Sequence, residues 1–413
     1  MTGAIGMRCA WLVNPFDPVP GSGLRPMRYE AIAHALAATG WDVVWFTADF
    51  DHTSRTRRVP HDVDRMRVAA GIRLEFVHVP SYRRTVGAAR LRSHRAYVRG
   101  LAVRMRALAD VPPAVVLVSV PLVGALRAAL LLRGRCGGAV VADVQDVWPE
   151  AIDMLLPAPL RVGYRPLRSA LLAHERRLLA QCDGVVAVSE TYLERRGGAG
   201  TPGLCAYLGV DLPAATARIR AAEHPTTFLW NGTIRPAADL ATVVEAAALL
   251  RRRDVRARFV IAGDGPPRAG LERRATRLGL GERVCFLGAY PEAERGAIVG
   301  GSDVGLHAYV PDAVISLTNK FFDYQAAGLA ILNSLPGEAA RLVDEHGMGI
   351  NYRGGDPESL AAAVAVLVHD PARTAAMGSA ARRFAESVGS RAASATRIAD
   401  FLDRIAGGMR AVA

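Results

Sequence analysis

A chain of 413 residues exceeds the ~100–200 residues of one ordinary domain, so two globular domains are expected. Hydrophobic residues make up 51% and aromatics 6%, an aliphatic balance that excludes a disordered or fibrous chain and suits a closely packed α/β core. The formal net charge of +12 favours anionic partners, and Cys9, Cys136, Cys182, Cys205 and Cys285 are scattered without CxxC spacing and without a recognisable secretory signal before them, which implies neither a disulfide framework nor a zinc site and leads us to expect a reducing, cytoplasmic setting.

In chain order, the apolar run Cys9–Val13 reads as a strand. A Gly/Pro-containing loop to Pro26 follows it, then a helix from Tyr29 to Gly40 and a second strand over Asp42–Thr47. Further strands are expected at Leu74–Val79, Val115–Val120, Ala139–Val144 and Gly184–Val188. Their continuous rather than alternating apolarity marks a parallel sheet covered on both faces. Between the first of these strands and the next lie Arg83, Arg84, Arg90, Arg92, Arg95, Arg99, Arg104 and Arg106, on a segment of helical spacing. They form either a solvated arginine face or a surface for an anionic partner, and the absence of interleaved aromatics and of any nucleic-acid module argues against nucleic acid. The apolar stretch Val111–Leu132 is about long enough to span a bilayer, but Pro112, Pro113, Pro121 and Arg127 interrupt it, so a buried strand followed by an amphipathic helix is expected instead.

A polar, alanine-rich segment over 213–226 reads as a linker, which makes 1–212 the first domain. A second βαβ series then begins. It comprises strand Thr227–Trp230, helix Ala238–Arg252, strand Ala257–Ala262, strand Val284–Leu287, strand Val304–Ala308, a helix around Phe321–Ala327 and strand Ala330–Asn333, within a second domain over 227–390. The helical segment 391–413 is expected to pack back on the first domain. The fold class is therefore α/β, two Rossmann-like domains with parallel sheets facing across a cleft, with ligands at the carboxyl ends of the strands.

The richest stretch in chemistry is Ser316-Leu317-Thr318-Asn319-Lys320 with Asp323. Ser316 or Thr318 is placed to cap a helix beginning near Asn319, whose free N–H groups and positive dipole end suit a phosphate. Lys320 is the only lysine in the chain, all other cations among the 51 being arginine; this position needs a compact ammonium rather than a planar fork. Asp323, one turn on, can accept from ribose hydroxyls. The turn Gly232-Thr233 with Arg235, the turn Gly263-Asp264-Gly265, and Leu287 and Tyr290 after the next strand bring backbone groups, charge and a stacking surface to the same edge. In the first domain, Gly21, Ser22, Gly23 and Arg25 form a loop that the main chain of a ligand-binding site would use. Asp146 and Glu150 end a later strand on the same side, where they read as acceptor-facing carboxylates or as ordinary helix caps.

Gly21–Pro26, DVQDVWPE at 143–150, LWNGTIRPAADLATVVEAAALL at 229–250, FVIAGDGP at 259–266 and SLTNKFFDYQAAGLAIL at 316–332 together resemble glycosyltransferase family 4 over nearly the whole chain. These are retaining, nucleotide-sugar-dependent enzymes of the GT-B type. The last segment is similar to the S/P-N-K-x-F-[DE]-Y-x-A-A-G signature of a subgroup that includes bacterial O-antigen and exopolysaccharide N-acetylhexosamine-type transferases. The resemblance implies a donor nucleotide held by the second domain, an acceptor held by the first, and transfer with retention, with no cofactor and no obligatory metal. It makes Asp323 the second acid of the family's E-x7-E motif and gives Lys320 and Arg235 the task of neutralising the leaving diphosphate; Asp146, from its place at a strand end, is the carboxylate expected to take part in catalysis. This chain departs from the pattern at Ile315, where the first acid would stand, and at Gln145-Asp146, where the family has a histidine. The acceptor is either a polyprenyl-diphosphate sugar, with a peripheral contact to the membrane face, or a small molecule bearing a hydroxyl, amine or thiol. Two other readings of the same fold stay open: a nucleotide-sugar epimerase, and a catalytically weak partner protein suggested by Ile315.

Overall fold

The computed structural model describes residues 8–60, 62–83, 87–120, 122–156, 158–198, 200–212 and 225–412. Most of the expected linker, together with Arg84 and Pro121, lies outside them. The first elements are β1 (Arg8–Val13), α1 (Arg28–Ala38), β2 (Trp41–Ala48), β3 (Arg65–Ala69), β4 (Ile72–Val77), α2 (Ala88–Ala107) and β5 (Val115–Val120). There follow α3 (Val123–Cys136), β6 (Ala139–Val144), α4 (Ala158–Leu179), β7 (Gly184–Ala187), α5 (Glu190–Arg196) and β8 (Gly203–Cys205). The second series runs β9 (Thr226–Asn231), α6 (Leu240–Arg252), β10 (Ala257–Ala262), α7 (Arg268–Arg277), β11 (Val284–Gly288), α8 (Glu292–Gly300), β12 (Val304–His307), α9 (Asn319–Ala326) and β13 (Ala330–Asn333). It closes with α10 (Glu338–Glu345), β14 (Gly349–Asn351), α11 (Pro357–His369) and α12 (Pro371–Ser387), and the chain ends in α13 (Arg391–Val412).

The chain divides into two compact units, one of residues 1–207 with 391–413 and the other of residues 208–390. In the first, an eight-stranded sheet has the order β3-β4-β2-β1-β5-β6-β7-β8, parallel except for the antiparallel edge pair β3–β4. Successive residues of β1 enter opposite cores. Trp11 and Val13 pack with Phe46, Tyr97 and Leu101 on the α2–α3 side, while Ala10 and Leu12 pack with Tyr29, Trp45 and Leu402 on the α1–α13 side. That double burial is why the strands read as unbroken apolar runs. The last helix seals one face: α13 lies along α1, Arg391 donates to the Pro26 carbonyl and Arg8 pairs with Asp403.

The second unit holds a six-stranded sheet in the order β11-β10-β9-β12-β13-β14, with every pairing parallel. Both sheets grow outward from their first strand in two directions. The direction changes between β1 and β5 in one and between β9 and β12 in the other. At such a switch point the flanking loops leave in opposite directions and open a crevice at the carboxyl ends of the strands.

Three expectations are corrected. The run Leu74–Val79 is a strand only to Val77. His78 and Val79 leave the sheet because the buried Asp49 carboxylate takes the Val79 N–H (2.9 Å) and a ring nitrogen of His78 (3.0 Å). Short strands at β3, β8 and β14 add to both sheets. Helix α9 begins at Asn319, but its N-cap residue Thr318 makes no side-chain cap.

Candidate functional site

In the second unit three chain segments touch through glycine, those at the ends of β9, β10 and β11, the last by a bridge between Gly263 and Gly288. Gly263, at φ +148°, is so close to the loop after β9 that a Cβ there would stand 2.0 Å from the Gly232 carbonyl oxygen, and one at Gly265 would stand 2.0 Å from that of Ile234. No side chain fits either place. The loops are stitched by Gly232 N–H to Ala262 O (2.8 Å) and Ile234 N–H to Asp264 O (2.9 Å). Gly232 itself, at φ +110°, lies within 3.8 Å, measured from its ideal Cβ, of the Lys320 ammonium.

Lys320 is half-buried in the first turn of α9. Its Nζ sits 3.9 Å from the centroid of the Trp230 ring and 5.4 Å from that of Tyr309, and donates to the Tyr309 hydroxyl at 3.1 Å. Aromatic faces attract a cation without neutralising it, and no carboxylate pairs with this one among the described residues. The first N–H groups of α9 have no side-chain cap, so uncapped amide donors, the positive end of the helix dipole and an unpaired ammonium meet beside a glycine turn. Arg235, exposed on the loop after Gly232, likewise has no ion-pair partner among the described residues. Thr233 is exposed beside it.

The loop before α9 is fixed by a relay that spacing did not disclose. Asn333 donates through Nδ2 to Leu335 O (2.7 Å) and Asn351 Oδ1 (2.8 Å), so its Oδ1 is an acceptor and receives the His307 Nδ1–H at 2.7 Å. The other ring nitrogen is therefore the acceptor, and takes the Thr318 hydroxyl proton at 3.0 Å. His307 is fully buried; burial first, with Lys320 adding to it, pushes its pKa down to about 3 against the hydrogen bond it donates to Asn333, so the ring is neutral. Ser316 donates to the buried Glu338 at 2.9 Å, and Leu317 is buried. The Thr318 bond takes the place of its expected cap, and both hydroxyls anchor the loop before α9.

Asp323 is only 7% exposed, and its Oδ1 pairs with Arg295 Nη1 of α8 at 3.2 Å. The acid read from spacing as a ribose acceptor is thus largely buried and held by an ion pair. Tyr290 is half-buried, and burial, opposed first by the nearby Arg295 charge, raises its pKa. Leu287 is 48% exposed. Tyr324, also buried, accepts the Asn231 N–H at 3.2 Å, and its ring occupies the space that any side chain at Gly305 would need.

In the first unit, Gly21, Ser22 and Gly23 are exposed and Arg25 half-buried. The group that anchors this loop is one the spacing did not single out. Arg28 is 4% exposed, makes two bonds to Asp143 (3.0 and 3.2 Å) and donates to the carbonyls of Ala206 and Tyr207. Asp146 is half-buried and its Oδ1 takes the N–H of its own neighbour Val147 at 2.8 Å, a local cap. Glu150 is corrected from an acceptor-facing acid to a structural one. It pairs at 2.5 Å with Arg196, which is 1% exposed and also meets Glu175 at 3.2 Å. Burial, opposed mainly by Arg196, lifts the Glu175 pKa to about 7. Among the described residues no group of three His, Cys, Asp or Glu side chains is arranged to hold a metal ion, and no helix is long and apolar enough to cross a membrane.

Residues 225–370 match the family described as "Glycosyl transferases group 1". The chain is 29% identical over 293 residues to the GDP-mannose-dependent alpha-(1-6)-phosphatidylinositol monomannoside mannosyltransferase of Mycobacterium tuberculosis, covering 63% of this chain and 76% of that one. It is 30% identical over 182 residues to the D-inositol 3-phosphate glycosyltransferase of Nocardia farcinica, covering 42% and 40%. Sucrose-phosphate synthase from Thermosynechococcus elongatus superposes with a TM-score of 0.71 at 17% identity, covering 97% of this chain and 100% of the other. This chain is a glycosyltransferase. Its two-sheet architecture is the GT-B fold, shared also with the Anabaena protein HepE solved in complex with UDP, at a TM-score of 0.66 and 14% identity, covering 96% and 100%. The family match falls on the unit that carries Lys320 and the three glycine loops.

Proposed function

We propose that this glycosyltransferase takes a hexose-type sugar from a nucleoside-diphosphate donor bound by the second unit and transfers it with retention, as a member of family 4. The observation that carries the reading is the Lys320 ammonium, held on two aromatic rings without a carboxylate, at an uncapped helix start beside Gly232. A diphosphate satisfies all of these groups at once. When the bond from the anomeric carbon to the phosphate oxygen breaks, its electron pair leaves on the diphosphate, and Lys320 and Arg235 meet the growing charge without needing a metal. Charge met by groups already in place costs no reorganisation at the moment of reaction. The Arg295–Asp323 pair offers a donor and an acceptor for ribose hydroxyls, and Tyr290 a face for the base. The printed names of the relatives, one GDP-mannose-dependent, and the UDP complex of HepE support a nucleotide-linked hexose.

The acceptor belongs to the first unit. Arg92, Arg95, Arg99 and Arg106 are exposed along one face of α2 and have no ion-pair partner among the described residues, which supports a peripheral contact with an anionic membrane surface. The test is incubation of the purified chain with UDP-, GDP-, TDP- and ADP-hexoses, following release of nucleoside diphosphate and the anomer of the sugar. One nucleotide series should turn over with retention, and Lys320→Ala should lower that rate by ~10²–10³ with little change in melting temperature. Equal turnover by the variant would contradict the assignment, and an epimerised nucleotide-sugar in place of released diphosphate would favour an epimerase.

A further inference from the structure

The charge of this chain is not spread evenly over it. Helices α2, α3 and α4 hold fourteen arginines and one acid, Glu175, a net +13 where the whole chain has +12, so the rest of the molecule is close to neutral. Helix α3 packs against both α2 and α4, and the outer rows of all three mix cations with aliphatic side chains. On α2, Arg92, Arg95, Arg99 and Arg106 are exposed alongside Val103. On α3, the exposed Arg127, Leu131 and Arg135 follow one another at intervals of four, the spacing of one helix face.

Helix α4 departs furthest from an ordinary surface helix. Such a helix buries an apolar stripe against the core, but over 159–174 no residue of α4 is buried, and burial begins only with Glu175, Leu178 and Leu179. Leu160, Leu167 and Leu171, spaced seven and four apart and so on one side of the helix, are 59%, 57% and 40% exposed. Arg165 and Arg176, eleven apart, share another side and are exposed too. Arg127, Arg135 and Arg165 have no ion-pair partner among the described residues. An apolar stripe left in water beside unpaired cations marks a surface that something else covers.

We infer that α4 is an interfacial helix, which lays Leu160, Leu167 and Leu171 among the acyl chains of an anionic bilayer while the arginines of α2, α3 and α4 meet its headgroups. The inference rests on the proposed contact of α2 with an anionic surface and adds to it an apolar insertion that charge alone does not supply. Charge complementarity selects the occupant. A second copy of the chain would set one +13 surface against another, and repulsion opposes that contact. Nucleic acid is gripped through stacking rings as well as charge, whereas Tyr97 of α2 is buried and Tyr164 of α4 half-buried. An anionic bilayer takes both the leucines and the cations, with long arginine stems reaching from the apolar level up to phosphate. The first half of α4 is also bonded to the loop after β6: Tyr164 donates to the Pro149 carbonyl at 3.2 Å, and Arg168 pairs with Asp153. A helix seated in the interface holds the loop of Asp146 and Glu150 beside the headgroups, which favours an acceptor carried by a lipid over one free in solution.

The test uses the full chain with vesicles of phosphatidylcholine, with and without phosphatidylglycerol, prepared with plain or brominated acyl chains. Bromine in anionic vesicles should quench the tryptophan of Leu167→Trp at least twofold, taken as the difference from the unmodified chain, and bromine in neutral vesicles should not. Leu160→Ser, Leu167→Ser and Leu171→Ser combined should lower partitioning onto anionic vesicles at least tenfold at ~0.5 M salt, where exposed charge is screened. The melting temperature of that variant should be unchanged, because its three sites are exposed; should it melt early, the quenching measurement decides alone. Sedimentation with anionic vesicles at low salt, run on the same samples, separates this proposal from the reading it rests on. Binding without quenching, or full salt-resistant binding by the well-folded serine variant, overturns the insertion of α4 and leaves the α2 contact standing. Equal quenching on neutral and anionic vesicles overturns the choice of an anionic surface. Dimers of the unmodified chain that the serine substitutions dissolve assign the face to a second copy instead. No binding at low salt overturns both readings.

Discussion

The two switch points of this molecule share a topology and differ in charge. Between β9 and β12, glycines bring three loops together around an ammonium that no carboxylate among the described residues neutralises. Between β1 and β5, aromatic side chains enclose two imidazoles that burial keeps uncharged. The same strand order thus places an ammonium without a carboxylate partner among the described residues at one switch point and the uncharged imidazoles of His52 and His94 at the other. Strand order sets where ligands bind, and the side chains at the strand ends set which ones.

The largest effect on this contrast is expected from Arg28→Ala. It strands the fully buried Asp143 under the first sheet's ligand loop, and breaking such a pair costs about 3–5 kcal/mol. Differential scanning calorimetry should show the first unit melting early, with nucleoside-diphosphate protection of the second retained. A uniform loss across both units would mean that the units do not unfold separately.

A smaller effect tests the neutral imidazoles in each unit. The folded pKa of His307 is about 3 and that of His94 about 4, against 6.5 ordinarily. Between 6.5 and those values the unfolded chain binds the extra proton, so stability falls as pH drops, by about 1.4 kcal/mol per unit for each ring. His307→Phe should remove one proton's worth of that slope down to about pH 3, and His94→Phe down to about pH 4. Denaturant midpoints measured from pH 7 to 4 check this, and an unchanged slope in both variants would show the rings charged in the native state.

The smallest effect on stability is expected from reversing the α2 stripe. Arg92→Glu combined with Arg99→Glu changes exposed groups without ion-pair partners among the described residues and should move stability by no more than ~0.5 kcal/mol per site. Sedimentation with anionic liposomes should fall by severalfold at low salt. Unchanged sedimentation would confine the arginines to solvation.

Much of the architecture was legible because double burial writes itself as unbroken apolar runs. Val115–Val120, Ala139–Val144, Ala257–Ala262 and Ala330–Asn333 are strands with the bounds their apolarity gives. β3 was not legible, being largely exposed, nor was β14, three half-buried residues long. At the site, Lys320 stood out as the sole lysine of an arginine-rich chain. Its setting did not. Trp230 reads only as the end of a strand and Tyr309 carries no signal, and the Thr318 hydroxyl is drawn from capping by a histidine eleven residues earlier in the chain that an asparagine on the next strand orients. Asp323 and Glu150 acquired arginine partners from other helices, and no local spacing reveals such a partner.

The most direct test is calorimetric titration of UDP, GDP, TDP and ADP into the unmodified chain and into Lys320→Met, which keeps the apolar stem on Trp230 and removes only the charge. At least one nucleotide should bind the unmodified chain, and the variant should bind that nucleotide at least tenfold more weakly with its melting temperature unchanged. Equal affinity in the two proteins would contradict a diphosphate site at the start of α9.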